Sequence, residues 1–158
     1  MRTAFLDRDG TINVKAPEGE YVTSWDGFAF LPGAVEAIGL LRERGWRVVV
    51  VTNQRGVALG RMSVADVEDI HRRLREAAPL DGVYLCPHER DSCDCRKPNT
   101  GMFRQAQAEF PDIRFEECVV IGDAESDMEA GRRLGCRTIL VGTPPLPSLR
   151  DAVDLLGE

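Results

Sequence analysis

The sequence predicts a doubly wound α/β fold, a mainly parallel sheet with helices on both faces. Two observations predict it. Short apolar, β-branched runs alternate four or five times with segments of helical periodicity. The acids, a hydroxyl and a lysine fall where most of those apolar runs end, the edge at which such folds bind ligands. At 158 residues the chain reads as one domain, 1–158, long enough to bury a core.

Each element has its own signal. Thr3–Leu6 is a short apolar strand that stops at Asp7. Pro32 suits the first turn of a helix running to about Arg44, with Val35, Ile38 and Leu41 at helical spacing and Gly45 as its stop. Arg47–Thr52 is apolar and β-branched throughout, as expected of a strand covered on both faces. Ser63 and Asp66 read as a capping box opening a helix on Val67, Ile70 and Leu74. Gly82–Leu85 is a third strand, Met102, Phe103 and Ala106 mark a helix, and Cys118–Ile121 is a fourth strand. Glu125–Leu134 is a helix ended by Gly135, and Thr138–Val141 is a last strand. The Pro-rich Thr143–Pro147 is expected to close the core before a short tail.

Composition excludes some classes. With 43% hydrophobic and 29% charged residues the chain is globular rather than disordered. A net charge of −6 argues against gripping nucleic acid by its phosphates, though not against a small phosphorylated ligand. No run approaches the roughly 18 apolar residues of a membrane span, and Met1 leads into a strand without a signal-peptide pattern, so a cytoplasmic location away from the membrane is expected. A monomer is the expected state.

The strand ends carry the chemistry. The first delivers Asp7 and Asp9, the second Thr52 and Asn53, and the fourth Gly122–Asp123 with Asp127 following, while Arg96–Lys97–Pro98 follow the third. Clustered acids repel and need a cation or a proton, and Mg²⁺ is the hard ion for oxygen ligands. Carboxylate, hydroxyl, lysine and Mg²⁺ together suit phosphoryl transfer. In this reading Asp7 attacks phosphorus and forms an aspartyl phosphate. Asp9 protonates the leaving alkoxide and then activates water. Thr52 and nearby backbone N–H groups hold phosphoryl oxygens, and Lys97 balances charge.

Asp7-Arg-Asp-Gly-Thr11, Thr52 after an apolar strand, Lys97–Pro98, and Gly122–Asp123 with Asp127 resemble, in order, the four motifs of the haloacid dehalogenase (HAD) superfamily. The Asp-x-Asp pair resembles its phosphatase branch. The resemblance implies an HAD-like Rossmannoid fold, and Mg²⁺ held by Asp7, the Asp9 carbonyl and Asp123, with Asp127 behind these ligands. The superfamily usually adds a cap domain. Here the segment between the first strand and Pro32 is too short for one, so the chain reads as capless with loops shaping the pocket.

One such loop spans residues 86–95. Cys86, His88, Cys93 and Cys95 form a complete tetrahedral Zn²⁺ set with no position open for catalysis, hence a structural metal next to Arg96 and Lys97. His71, on a predicted helix, reads as an ordinary surface or partly buried residue. Cys118 and Cys136 read as small core residues.

The zinc loop is similar to that of the HAD subgroup holding the heptose 1,7-bisphosphate phosphatases and the histidinol-phosphate phosphatases. Residues 19–38 and 52–63 resemble the heptose enzymes, whereas the compact zinc loop is closer to the histidinol branch. Arg55 stands where the heptose enzymes commonly carry a small residue, and Leu59 where they carry a basic one. Asn53, Arg55 and Arg96 are candidate substrate contacts, since an arginine grips phosphate with two parallel donors.

The resemblance thus implies a phosphatase for a small phosphorylated metabolite, a heptose 1,7-bisphosphate first and histidinol phosphate second. Three other classes share some of these features. A phospho-accepting receiver-like signalling module also combines Asp, Thr and Lys, but its acceptor sits on a middle strand. A nucleic-acid-binding zinc module lacks the basic and aromatic residues it needs here. A phosphatase acting on nucleic-acid ends would want a basic groove or a partner domain.

Overall fold

The computed structural model describes residues 1–157. Its sheet has five parallel strands, β1 (Thr3–Leu6), β2 (Arg47–Asn53), β3 (Gly82–Cys86), β4 (Val119–Gly122) and β5 (Arg137–Leu140), in the order β3-β2-β1-β4-β5. Helices α1 (Ala34–Glu43), α2 (Val64–Ala77), α3 (Gly101–Glu109), α4 (Glu125–Leu134) and α5 (Leu149–Leu156) connect and flank the strands. The predicted α/β class is the one observed.

Burial on both faces explains the unbroken apolar strands. Ala4, Leu6, Val48 and Val50 pack with Ile38 and Leu41 of α1, Leu74 of α2 and Val153 of α5. Their neighbours Phe5, Val49 and Val51 point the other way, onto Met102 and Phe103 of α3 and Ala130 of α4. The period-two alternation of a strand therefore feeds two separate cores.

Three local expectations are corrected. The first helix begins at Ala34, because Gly33 takes φ 79° and Pro32 lies in the turn before it. The third strand extends through Cys86, which pairs with Asn53, so a predicted metal ligand sits on the sheet itself. The last residues are not a tail. After the Pro-rich turn, Ser148 accepts from the Asp151 N–H in a capping box and α5 buries Leu149, Ala152 and Val153 beside α1. Burial of Leu149 and Val153 stabilises by about 1.5–3 kcal/mol each, which holds α5 on the core. The capping box expected at Ser63 and Asp66 is present at the start of α2.

The strand order reverses beside β1. The chain winds outward through β2 and β3, then returns to lay β4 on the other side of β1. Beyond the carboxyl ends of β1 and β4 there is a crevice that no crossover covers. Among the described residues, no helix is long and apolar enough to cross a membrane.

Candidate active site

The crevice is lined by most of the predicted residues, whereas Thr52 is buried and is not among them. Asp7 follows β1 directly, and its N–H donates to the Ile121 carbonyl at 3.0 Å, so its position is set by the β1–β4 ladder. Asp123 follows β4 in the same way, and Asp127 lies one turn later on α4. The carboxylates of Asp7, Asp123 and Asp127 bring one oxygen each within 4.8 Å of one another.

Two glycines make this approach possible. A methyl on Gly10, whose φ is 87°, would meet an Asp123 carboxylate oxygen at 2.1 Å, and one on Gly122 would meet an Asp127 oxygen at 2.3 Å. Any side chain at either position would displace an acid.

Lys97 answers part of the negative charge. Its ammonium, 3% exposed, donates to Asp7 Oδ1 at 2.9 Å, Asp127 Oδ1 at 2.6 Å and the Val51 carbonyl at 2.7 Å, which uses all three donors. Burial alone would lower its pKa, yet the Asp7 and Asp127 charges outweigh burial and raise it. Asn53 fixes the backbone here: it accepts from the Lys97 N–H at 3.0 Å and donates to the Lys97 carbonyl at 3.3 Å.

One lysine cannot neutralise three acids. Burial and the neighbouring Asp7 push Asp123 up to about 7, and burial and Asp7 raise Asp127 as well. Asp123 Oδ1 is buried with no hydrogen-bond partner among the described residues. Lys15, from the loop after β1, reaches only to 3.5 Å from Asp123 Oδ2. An orphaned carboxylate oxygen beside two further carboxylates is a donor set that fits a hard divalent cation.

Asp9 has different surroundings. Arg8 and Asn13 donate to its Oδ1, each at 2.9 Å, and Gln54 donates to Oδ2 at 3.0 Å. Burial would raise its pKa, but the Arg8 charge and these hydrogen bonds win and lower it. Gln54 also donates to Thr52 Oγ1 at 2.9 Å, tying the predicted hydroxyl to the predicted acid. Two like charges in one short motif are thus held by different neighbours, Asp7 by Lys97 and Asp9 by Arg8.

Arg8, Gln54 and Lys15 were missed in the sequence, and His71 was misjudged. His71 is 6% exposed and its Nε2 meets Arg8 Nη1 at 3.0 Å. It lies beside Ile70 at the edge of the apolar stripe of α2, the one available sign that it faces inward.

The candidate substrate contacts separate. Asn53, Arg55 and Arg96 all line one cavity of about 330 Å³ that opens over Asp7, Asp9 and Lys97, with residues 15–22 as its opposite wall. Arg96 Nη1 is buried without a partner. Arg55 instead forms an ion pair with Glu89 at the rim, and this contact draws Glu89 down to about 2. Leu59 is 39% exposed and does not line the cavity.

The four predicted zinc ligands converge. Cys86, Cys93 and Cys95 sulfurs lie 2.8–3.5 Å apart, and His88 Nδ1 is 3.1 Å from Cys95 Sγ. These separations exceed a disulfide bond of about 2.05 Å, and the thiols are free. Burial raises the Cys86 and Cys95 thiols, so three ionised sulfurs would need a cation between them. The Arg96 N–H donates to Cys93 Sγ at 3.3 Å, which links this cluster to the residue before Lys97.

Comparison with known proteins places this geometry. A family model described as HAD-hydrolase-like matches residues 94–144, which include Lys97, Asp123 and Asp127. The chain is 38% identical to a D-glycero-alpha-D-manno-heptose-1,7-bisphosphate 7-phosphatase of Mycobacterium tuberculosis, over 94% of this chain and 83% of that protein. It is 40% identical to a D-glycero-beta-D-manno-heptose-1,7-bisphosphate 7-phosphatase of Pseudomonas aeruginosa, over 87% of this chain and 79% of that one. Its fold is similar to the crystal structure of D,D-heptose 1,7-bisphosphate phosphatase from B. bronchiseptica complexed with magnesium and phosphate. That match has a TM-score of 0.88 and 31% identity, and covers 99% of this chain and 98% of the other.

Proposed function

The chain belongs to the HAD-like phosphatase family, and on that premise we propose that it removes the 7-phosphate of a D-glycero-D-manno-heptose 1,7-bisphosphate. The observation that carries the proposal is the Asp7–Lys97–Asp127 arrangement beside Asp123, at the floor of an open cavity that Arg96, with its unpaired Nη1, helps to line. The names of the relatives supply the substrate and the position cleaved.

In the proposed reaction an Asp7 carboxylate oxygen bonds to phosphorus as the phosphorus–ester bond breaks. Arg8, Asn13 and Gln54 favour the Asp9 carboxylate, so in this proposal Asp9 gains its proton as the phosphorylated substrate binds. The leaving sugar oxygen takes that proton, giving an alcohol and an aspartyl phosphate. Asp9, now a carboxylate, takes a proton from a water whose oxygen attacks the same phosphorus. Inorganic phosphate leaves, and Asp7 is restored. Thr52 and the adjacent backbone N–H groups orient phosphoryl oxygens, while Lys97 holds the nucleophile in place and offsets its charge. Asp7, the Asp9 carbonyl and Asp123 are the proposed Mg²⁺ ligands, with Asp127 behind them on Lys97. The ion would supply positive charge to the crowded carboxylates and to the phosphoryl oxygens.

Cys86, His88, Cys93 and Cys95 are the proposed structural Zn²⁺ ligands. Free cysteines persist in a reducing compartment, which supports the proposed cytoplasmic location; one domain and a monomeric state are likewise proposed. Arg96 and Arg55 are proposed to hold the phosphate that is not cleaved, Arg55 after leaving Glu89.

Phosphate release measured on the α and β anomers of heptose 1,7-bisphosphate, on histidinol phosphate and on simple sugar phosphates tests the proposal. The expected result is the highest kcat/KM on one heptose bisphosphate anomer, with phosphate lost from carbon 7. A higher kcat/KM on histidinol phosphate would overturn the substrate.

A further inference from the structure

Arg8 is a fully buried arginine inside the catalytic motif. Its side chain bridges two elements. Nη2 donates to Asp9 Oδ1 at 2.9 Å, and Nη1 lies 3.0 Å from His71 Nε2 on α2. The face of Phe28 is 5.8 Å from the guanidinium, and Arg8 Nε is buried without a partner.

An arginine only donates, so His71 Nε2 accepts and the proton of the neutral ring is on Nδ1. Burial and the Arg8 charge hold the His71 pKa down to about 3, so the ring stays an acceptor at ordinary pH. Without that acceptor, Arg8 would keep Asp9 as its one hydrogen-bonding side-chain partner, with a second buried donor left unmet.

We propose that His71 is a positioning residue for the phosphatase reaction: it anchors Arg8, and Arg8 sets the orientation of the Asp9 carboxyl that carries the proton. The proposal rests on the assignment of Asp9 as proton carrier. An oxygen of Asp9 held from α2 keeps a fixed relation to Asp7, two residues away on a loop whose turn is closed by the Arg8 carbonyl, which accepts from the Thr11 and Ile12 N–H groups. If Arg8 loses His71, its guanidinium loses one of its two side-chain anchors, and Asp9 Oδ1 keeps Asn13 as its better fixed donor, so the carboxyl is held less tightly. The reaction then suffers at proton delivery rather than at substrate binding.

Leaving-group chemistry separates this role from a merely structural one. An alkyl phosphate needs its leaving oxygen protonated, while a nitrophenyl phosphate leaves as a stable phenolate and does not. His71→Leu removes the acceptor, and His71→Gln returns one at the place of Nε2. The holoenzyme with added Mg²⁺ is assayed on a sugar phosphate and on nitrophenyl phosphate.

For His71→Leu the expected result is a kcat on the sugar phosphate lower by about tenfold, part of the 10²–10⁴ that acid–base catalysis supplies. KM and the nitrophenyl phosphate rate stay unchanged, and His71→Gln restores the sugar phosphate rate. The nitrophenyl rate also reports that the variant is folded. If His71→Leu fails to fold, His71→Met fills the site and takes the same assay.

Equal losses on both substrates, a change in KM alone, or no loss at all would overturn the proposal. Asp9→Asn is the control for the underlying assignment. If it loses both substrates alike, the role of Asp9 fails and the role of His71 with it; if it selectively loses the sugar phosphate while His71→Leu does not, only the latter fails.

Discussion

Lys97 and Asp127 form an ion pair sealed from water, with Nζ 2.6 Å from Oδ1 and both side chains 2% exposed. A pair so buried is a poor source of net stability, but removing one partner strands the other. Lys97 also contacts Asp7, so its loss strands two acids. Lys97→Met is predicted to destabilise the fold by about 3–5 kcal/mol in urea unfolding and to abolish phosphate release. Unchanged stability would mean that Asp7 and Asp127 find another cation.

His71 makes stability depend on pH. Its folded pKa is depressed to about 3 from an ordinary 6.5. Between those values the unfolded chain binds a proton that the folded chain refuses, so stability is full above about pH 6.5 and falls as pH drops toward 3. Relative to His71→Gln, the parent is predicted to lose up to about 1.4 kcal/mol per pH unit across that window. Parallel unfolding curves for the two proteins would contradict the buried neutral histidine.

The Arg55–Glu89 pair bridges the loop after β2 and the cysteine loop. Both side chains are partly in water, so Arg55→Ser is predicted to leave the melting temperature nearly unchanged. KM for a bisphosphate should rise by about tenfold, the loss of one exposed charge-assisted contact, while KM for a monophosphate stays put. Steady-state kinetics on the two substrates read the difference.

The cysteine cluster leads straight into Lys97, so metal loss should reach the catalytic site. One zinc per chain is predicted by elemental analysis. Cys95→Ser or a strong chelator should remove it, lower the melting temperature and reduce kcat, because structural zinc contributes folding free energy directly. A chain that melts at the same temperature without metal would leave the cluster no structural role.

Much of this site was legible because polar residues at the end of an apolar strand have few structural reasons to be there. Asp7, Thr52 and Asp123 each follow such a run, and the topology brings these ends to one edge. The cysteine loop was legible from spacing alone. Residues whose task is to touch other side chains were not. Arg8 looks like a solvated charge between two acids, and its burial depends on α2 and Phe28 arriving from distant parts of the chain. Gln54 joins Thr52 to Asp9 through a turn that no local pattern announces. Helix α5 did carry a signal, Ser148 and Asp151 at capping-box spacing with Leu149, Ala152 and Val153 at helical spacing, which the prolines before it obscured.

The proposed reaction depends above all on covalent phosphorylation of Asp7. Enzyme in excess, mixed briefly with heptose bisphosphate and Mg²⁺ and quenched into borohydride, would have an aspartyl phosphate reduced to homoserine. Peptide mass spectrometry is predicted to find homoserine at position 7 only when substrate is present. Turnover without any homoserine at position 7, or with homoserine at position 9 or 123 instead, would contradict nucleophilic attack by Asp7.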